Sequence, residues 1–195
     1  MSLNFKESET FKKSLESLKA VCQRLSDECG YPEDYSVFNS GTTEEKLKKI
    51  ETLYNISLCE EYREFMKFSN GAKIMENRIN MYDIRMFGVD DPMVPAGYLT
   101  IGEIIGDGAR IAISKEDGDI YSCYDGEVVY WSLSYQIDRL ITQCEDEIDD
   151  YVDDVEREKR RKAGVTKEQE DLERHKRIDE LCKRVDEMLK NRGVK

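Results

Sequence analysis

The stretch 104-IIGDGARIAISKEDGDIYSCYDGEVVYW-131 sets Asp before Gly three times, at Asp107-Gly108, Asp117-Gly118 and Asp125-Gly126. Glycine beside an acid serves phosphate-cradling loops, calcium loops and tight turns, and the fold depends on which applies. Gly106 and Gly108 begin a G-x-G-x-x-G pattern, but Ile111 holds the third glycine position. A strand-like segment follows where a helix N-terminus would have to receive the phosphate. An EF-hand loop begun at Asp117 would put Ser122 where glycine is needed and Val128 where a bidentate glutamate is needed. The turn reading fits every pair, because Asp and Gly both tolerate positive φ and each pair separates short β-branched and aromatic segments. The segments 98-YLTIGEI-104, 109-ARIAIS-114, 119-DIYSCY-124 and 127-EVVYWS-132 are therefore predicted as an antiparallel meander. Upstream, 78-RINMYDIRMF-87 has the same near-period-two pattern and predicts another strand, and 90-DDPMVPAG-97 reads as a loop.

Outside this stretch the period changes to 3.6. Phe11, Leu15, Leu18, Cys22, Leu25 and Cys29 follow one another at steps of four and three, which is one stripe of a helix stopped by Gly30 and Pro32. The segment 31-YPEDYSVFNSG-41 reads as a loop or linker. A second helix is predicted from a Thr42/Glu45 capping box, with Leu47, Ile50, Leu53 and Tyr54 inward. A third is predicted from a Ser57/Glu60 box, with Tyr62, Phe65, Met66 and Phe68 as its bulk and Asn70-Gly71 as its stop. Beyond Ser132, Ile137, Leu140, Ile141, Cys144, Ile148, Tyr151, Val152 and Val155 mark a long helix that Gly164 breaks. Thr166 with Gln169 then opens a last helix marked by Leu172, Ile178, Leu181, Val185 and Leu189. The last two helices are expected to form an αα-hairpin or to pair with another copy of the chain. The fold class is α+β: an antiparallel meander packed with helices, with an N-terminal helix and a C-terminal αα-hairpin.

The chain has 195 residues, of which 37% are charged, and a formal net charge of -12. Its pI is near 4.8. Such a chain repels nucleic-acid backbones and anionic membranes and attracts basic proteins. The polar start MSLNFKESETFKK has no signal-peptide pattern and no run is apolar enough to span a bilayer, so a cytoplasmic location is expected. Cys22, Cys29, Cys59, Cys123, Cys144 and Cys182 contain no C-x-x-C pair and read as core thiols of a reducing compartment.

No catalytic set emerges. The one histidine, His175, lies between Arg174 and Lys176 in a charged helical stretch and reads as solvated. No His/Cys cluster suits a metal, so no metal, cofactor or enzymatic activity is expected. Two features remain. The run 145-EDEIDDYVDDVE-156 holds eight acids and no base. It reads either as a solvated face behind an inward stripe of Ile148, Tyr151, Val152 and Val155, or as a docking surface for a basic partner. The second reading is motivated by its like-charge i, i+4 pairs, which oppose the helix. Its candidate partner-binding residues are Glu145, Glu147, Asp149, Asp150, Asp153 and Asp154, with Glu147, Asp150, Asp153 and Asp154 expected to face solvent. The second feature, 157-REKRRK-162, places cations near a helix C-terminus, where they complement the macrodipole.

Leu58, Tyr62, Phe65, Asn70, Gly71, Gly102, Gly108, Trp131, Ser134 and Tyr135 together resemble the SUKH superfamily. That family has a helix with spaced Leu, Tyr and Phe ending in Asn-Gly, then a glycine-punctuated sheet, then a helix opened by a Ser-aromatic pair. Cys59 stands where proline is usual, and Ala72 where a second glycine often stands. The resemblance covers roughly residues 43–145 and divides the chain into an N-terminal helix and loop (1–42), a SUKH-like α+β domain (43–145) and a C-terminal helical extension (146–195). It implies a domain without a catalytic centre. Bacterial relatives resemble immunity proteins that neutralise toxins, and fungal ones resemble regulatory scaffolds. The expected function is an antitoxin-type immunity protein whose partner is a toxin domain with a basic surface. The alternative is an intracellular scaffold assembling complexes through its terminal helices.

Overall fold

The computed structural model describes residues 5–163 apart from 77 and 107, and also residues 172, 175, 176, 178 and 183. The chain divides into two compact units, Met1–Asp149 and Asp150–Lys195. The first opens with helix α1 (Phe5–Cys29), whose Phe11, Leu15, Leu18, Cys22 and Leu25 are buried in the main core as their spacing requires. Strand β1 (Val37–Phe38), helix α2 (Glu44–Tyr54) and helix α3 (Glu60–Phe68) follow. Then come β2 (Ala72–Ile74), β3 (Ile79–Met81), a 3-10 turn (Ile84–Met86), β4 (Tyr98–Ile104), β5 (Arg110–Ser114), β6 (Ile120–Tyr124) and β7 (Glu127–Tyr130). Helix α4 (Leu133–Lys162) starts in the first unit and continues into the second. No helix among the described residues is long and apolar enough to cross a membrane.

The seven strands form one sheet in sequence order, each antiparallel to the next. Alternation fixes its faces: Leu99, Ile113 and Ile120 lie opposite one another in register and share the core side, with Tyr62, Phe65 and Met66 of α3 in the same cluster. α1 is also tied to α3 by charge. Glu64, buried at 5% exposure, receives Lys12 Nζ at 2.9 Å and Lys67 Nζ at 3.1 Å. Burial would raise its carboxyl, but the two ammonium groups outweigh that and hold it below the usual carboxylate range.

Two of the Asp-Gly pairs, Asp117-Gly118 and Asp125-Gly126, are turns, and Asp107 of the third lies outside the described residues. Asp125 and Gly126 both have positive φ between Tyr124 and Glu127, which pair across β6 and β7, as a tight two-residue hairpin requires. Gly118 does more. Its carbonyl accepts from Cys59 N–H at 3.1 Å, and a Cβ there would lie 1.6 Å from the Ser57 carbonyl oxygen. The β5–β6 turn is thus docked against the connection between α2 and α3.

Several local expectations are corrected. β1 lies where a loop was predicted, β2 follows directly on the predicted helix stop at Asn70-Gly71 without having been anticipated, and the strand expected over 78–87 is three residues long before the chain turns into 3-10 geometry. Neither capping box forms. Thr43, not Thr42, caps α2, and Cys59, not Ser57, caps α3, both without a side-chain bond. The cause is tertiary: Thr42 N–H is taken by the Met66 carbonyl of α3, and Ser57 packs under Gly118. The inward stripe of α4 holds through Ile148, but Tyr151 and Val152 are 42% and 44% exposed, because the unit that buries Ile148 ends at Asp149. α4 ends at Lys162. The break at Gly164, the Thr166/Gln169 box and the C-terminal αα-hairpin lie outside the described residues, as does Cys182. Leu172, His175 and Ile178 are helical and exposed.

Candidate partner-binding surface

The acidic run is positioned from the start of α4. Glu61 of α3 accepts from Leu133 N–H (3.0 Å), Ser134 N–H (3.3 Å) and Ser134 Oγ–H (2.8 Å). Ser132 Oγ accepts from Tyr135 N–H at 3.3 Å. A carboxylate and a hydroxyl thus satisfy amides that the first turn leaves open, and the negative charge suits the helix N-terminus. Trp131, just before, is buried and donates its backbone N–H to the Ile120 carbonyl. Leu133, Ile137, Leu140, Cys144 and Ile148 then fix the rotation of the helix by entering the core.

With that rotation set, the candidate acids divide into three groups. Glu147 is drawn inward, contrary to its expected solvent position. It accepts from Tyr35 O–H at 3.3 Å and pairs with Arg78 at 3.4 Å. Burial, and then the Glu147 charge, push the Tyr35 hydroxyl up to about 12. Asp153 and Asp154 are exposed, at 69% and 73% of their side chains, but share Arg157 at 3.8 and 3.0 Å. The basic run serves this same helix: Arg160 pairs with Glu156 at 3.8 Å and Lys162 with Glu158 at 2.9 Å. Pairs so exposed contribute little stability, but they neutralise local charge. Glu145, Asp149 and Asp150 form the third group. They are exposed and make no ion pair among the described residues, and Asp146 joins them. Arg24 of α1 feels Glu145 and Asp149, but its guanidinium is held by Glu28 at 2.8 Å. Helical spacing stacks Glu145 under Asp149 and Asp146 under Asp150, giving an exposed run of adjoining negative charges with no ion pair of its own among the described residues.

Sequence reasoning missed Asp146 as a member of this face, although it sits inside the run. It also missed a cleft of about 360 Å³ whose walls include Arg78, Ile105, Trp131, Gln136, Arg139 and Gln143. Arg139 is exposed and makes no ion pair among the described residues. No sequence signal points to the cleft, because its lining comes from three separate segments. Among the described residues no group of three or more His, Cys, Asp or Glu side chains could hold a metal ion.

The fold places the chain among α+β domains built on one antiparallel sheet. The SMI1 / KNR4 family (SUKH-1) model matches residues 41–156, more than half of the chain, and the protein belongs to that family. The family is associated with immunity proteins and is generally non-enzymatic, which implies a protein partner. The match runs from just before α2 to Glu156 and so includes the whole acidic run. No curated protein matches the chain. The residues that carried the resemblance have structural roles. Leu58, Tyr62 and Phe65 are core, and Ser134 meets the Glu61 carboxylate. Asn70 Oδ1 accepts from Ile84 N–H at 2.9 Å, and a Cβ at Gly71 would lie 2.7 Å from Asp83 N.

Proposed function

We propose that the protein is a cytoplasmic immunity protein that neutralises a toxin domain by direct binding, meeting a basic surface with the uncompensated acids of α4. The observation that carries this reading is the group Glu145, Asp146, Asp149 and Asp150: four exposed acids without an ion pair among the described residues, followed on the same helix by acids that are paired and flanking Glu147, which is drawn inward. Like charges kept side by side cost helix stability, and the field they create speeds encounter with an oppositely charged partner. The family's association with immunity proteins supports the class of partner. The scaffold alternative relies on terminal helices free to recruit, whereas the apolar stripe of α1 is already buried in the core.

The test is co-expression with the toxin-like C-terminal domain of a secreted protein encoded beside this gene. Growth should be restored and the two chains should purify together. Continued toxicity with no complex would overturn the reading.

A further inference from the structure

Cys22 of α1 and Cys144 of α4 lie with their sulfurs 4.0 Å apart, both buried, although 122 positions separate them in sequence. Cys22 also lines a cavity of about 230 Å³ with Lys19, Gln23, Ser26, Glu33 and Ser36. The pair is therefore beside a space that a small oxidant can enter. Ser36 Oγ accepts from Met75 N–H at 3.0 Å, which leaves its proton free to donate toward Cys22.

We propose that Cys22 and Cys144 form a peroxide-responsive thiol pair, oxidised within the folded chain to a disulfide that clamps α1 to α4. The two sulfurs have different roles. The contact with Cys144, with Ser36 adding a smaller push, holds Cys22 below the usual thiol range against its burial, and the same contact holds Cys144 up. Cys22 is the sulfur that lines the cavity and so is the nucleophile, and the fully buried Cys144 is the resolving thiol. The Cys22 thiolate attacks one oxygen of a hydroperoxide. The O–O bond breaks, the sulfur is oxidised to sulfenic acid, and water (or an alcohol from an organic peroxide) leaves with the transferred protons. The Cys144 sulfur then attacks the sulfenic sulfur, the S–S bond forms, and the sulfenic oxygen leaves as water. With hydrogen peroxide, two thiols and one peroxide give one disulfide and two waters. The sulfurs must approach from 4.0 Å to roughly 2 Å, a movement that side-chain rotation in two neighbouring helices can supply. Cys22 precedes the family-matched span and Cys144 lies within it, so the bond would fasten the N-terminal helix to the family domain.

The experiment treats the full natural chain with hydrogen peroxide, quenches it, blocks free thiols in denaturant and maps peptides by mass spectrometry. Cys22 and Cys144 should lose alkylation together and appear as one cross-linked peptide pair lighter by two hydrogens, while Cys29 and Cys59 remain alkylated. The oxidised chain should melt at a higher temperature than the reduced one. In a Cys144→Ser chain, dimedone should label Cys22. If both thiols stay free at a peroxide dose that oxidises Cys29 or Cys59, or if Cys22 pairs with another cysteine, the proposal fails. Dimedone labelling of Cys144 in a Cys22→Ser chain, with none of Cys22 in Cys144→Ser, would overturn the assigned roles.

Discussion

Single side chains connect the helices and turns of this domain, and their removal has calculable effects. Glu61 supplies three hydrogen bonds to the start of α4. Glu61→Ala should cost roughly 1–3 kcal/mol, since it removes a charged cap and leaves part-buried donors unmet. Urea unfolding reads this directly, and a loss within error would mean that α4 is held by packing alone. Glu64 gives a pH signature. Its folded carboxyl is held low by Lys12 and Lys67 despite burial, so its contribution is present above the unfolded value of about 4.3 and is lost as pH falls through the folded value. Glu64→Gln should therefore be less stable than the natural chain at pH 7, with the gap closing below about pH 4. A gap that persists into strong acid would assign the effect to shape, not charge. The turn glycines give a ranking. Gly126 has open space where a Cβ would go, and Gly126→Ala should cost about 1 kcal/mol of φ strain alone. Gly118→Ala should cost clearly more, because its Cβ would collide with the Ser57 carbonyl. Equal thermal shifts in the two variants would contradict the docking of that turn. The sequence showed that these positions were turns, since Asp-Gly encodes φ. It did not show that one turn is wedged against another segment, since that depends on Ser57, far upstream in the sequence.

At the scale of elements, periodicity served well wherever an element is long or bounded by its own punctuation. The α1 stripe and the β4–β7 meander stand as read. β1 and β2 were not legible, because two or three residues cannot display a period and these strands exist through their pairing, Val37 with Lys73 and Ile74 with Ile79. The helix starts were misplaced by one or two residues, since tertiary hydrogen bonds to Thr42 and Cys59 outcompeted the local boxes. On α4 the acids were legible as a run. Which of them are free was not, because Glu147 is engaged by Tyr35 and Arg78, far away in sequence. Asp150 has Asp146 and Asp154 one turn away on either side. Asp150→Asn should relieve both repulsions and raise helix stability by about 0.5 kcal/mol at low salt. A fall in the melting temperature would show that Asp150 has a structural partner.

At the scale of the whole molecule, the net charge of -12 makes a basic partner favourable and a second copy of the chain electrostatically unfavourable. The central claim is that the free acids of α4 guide that basic partner in. It is tested by stopped-flow association of the co-purified toxin domain with the natural chain and with a Glu145→Gln, Asp146→Asn, Asp149→Asn, Asp150→Asn variant, at low and high salt. The on-rate should be about tenfold lower for the variant at low salt and converge with that of the natural chain as salt screens the field, with the fold intact. Equal on-rates and equal salt dependence in the two chains would contradict it, and would move the binding surface to the cleft at Arg139 and Trp131 or to the sheet.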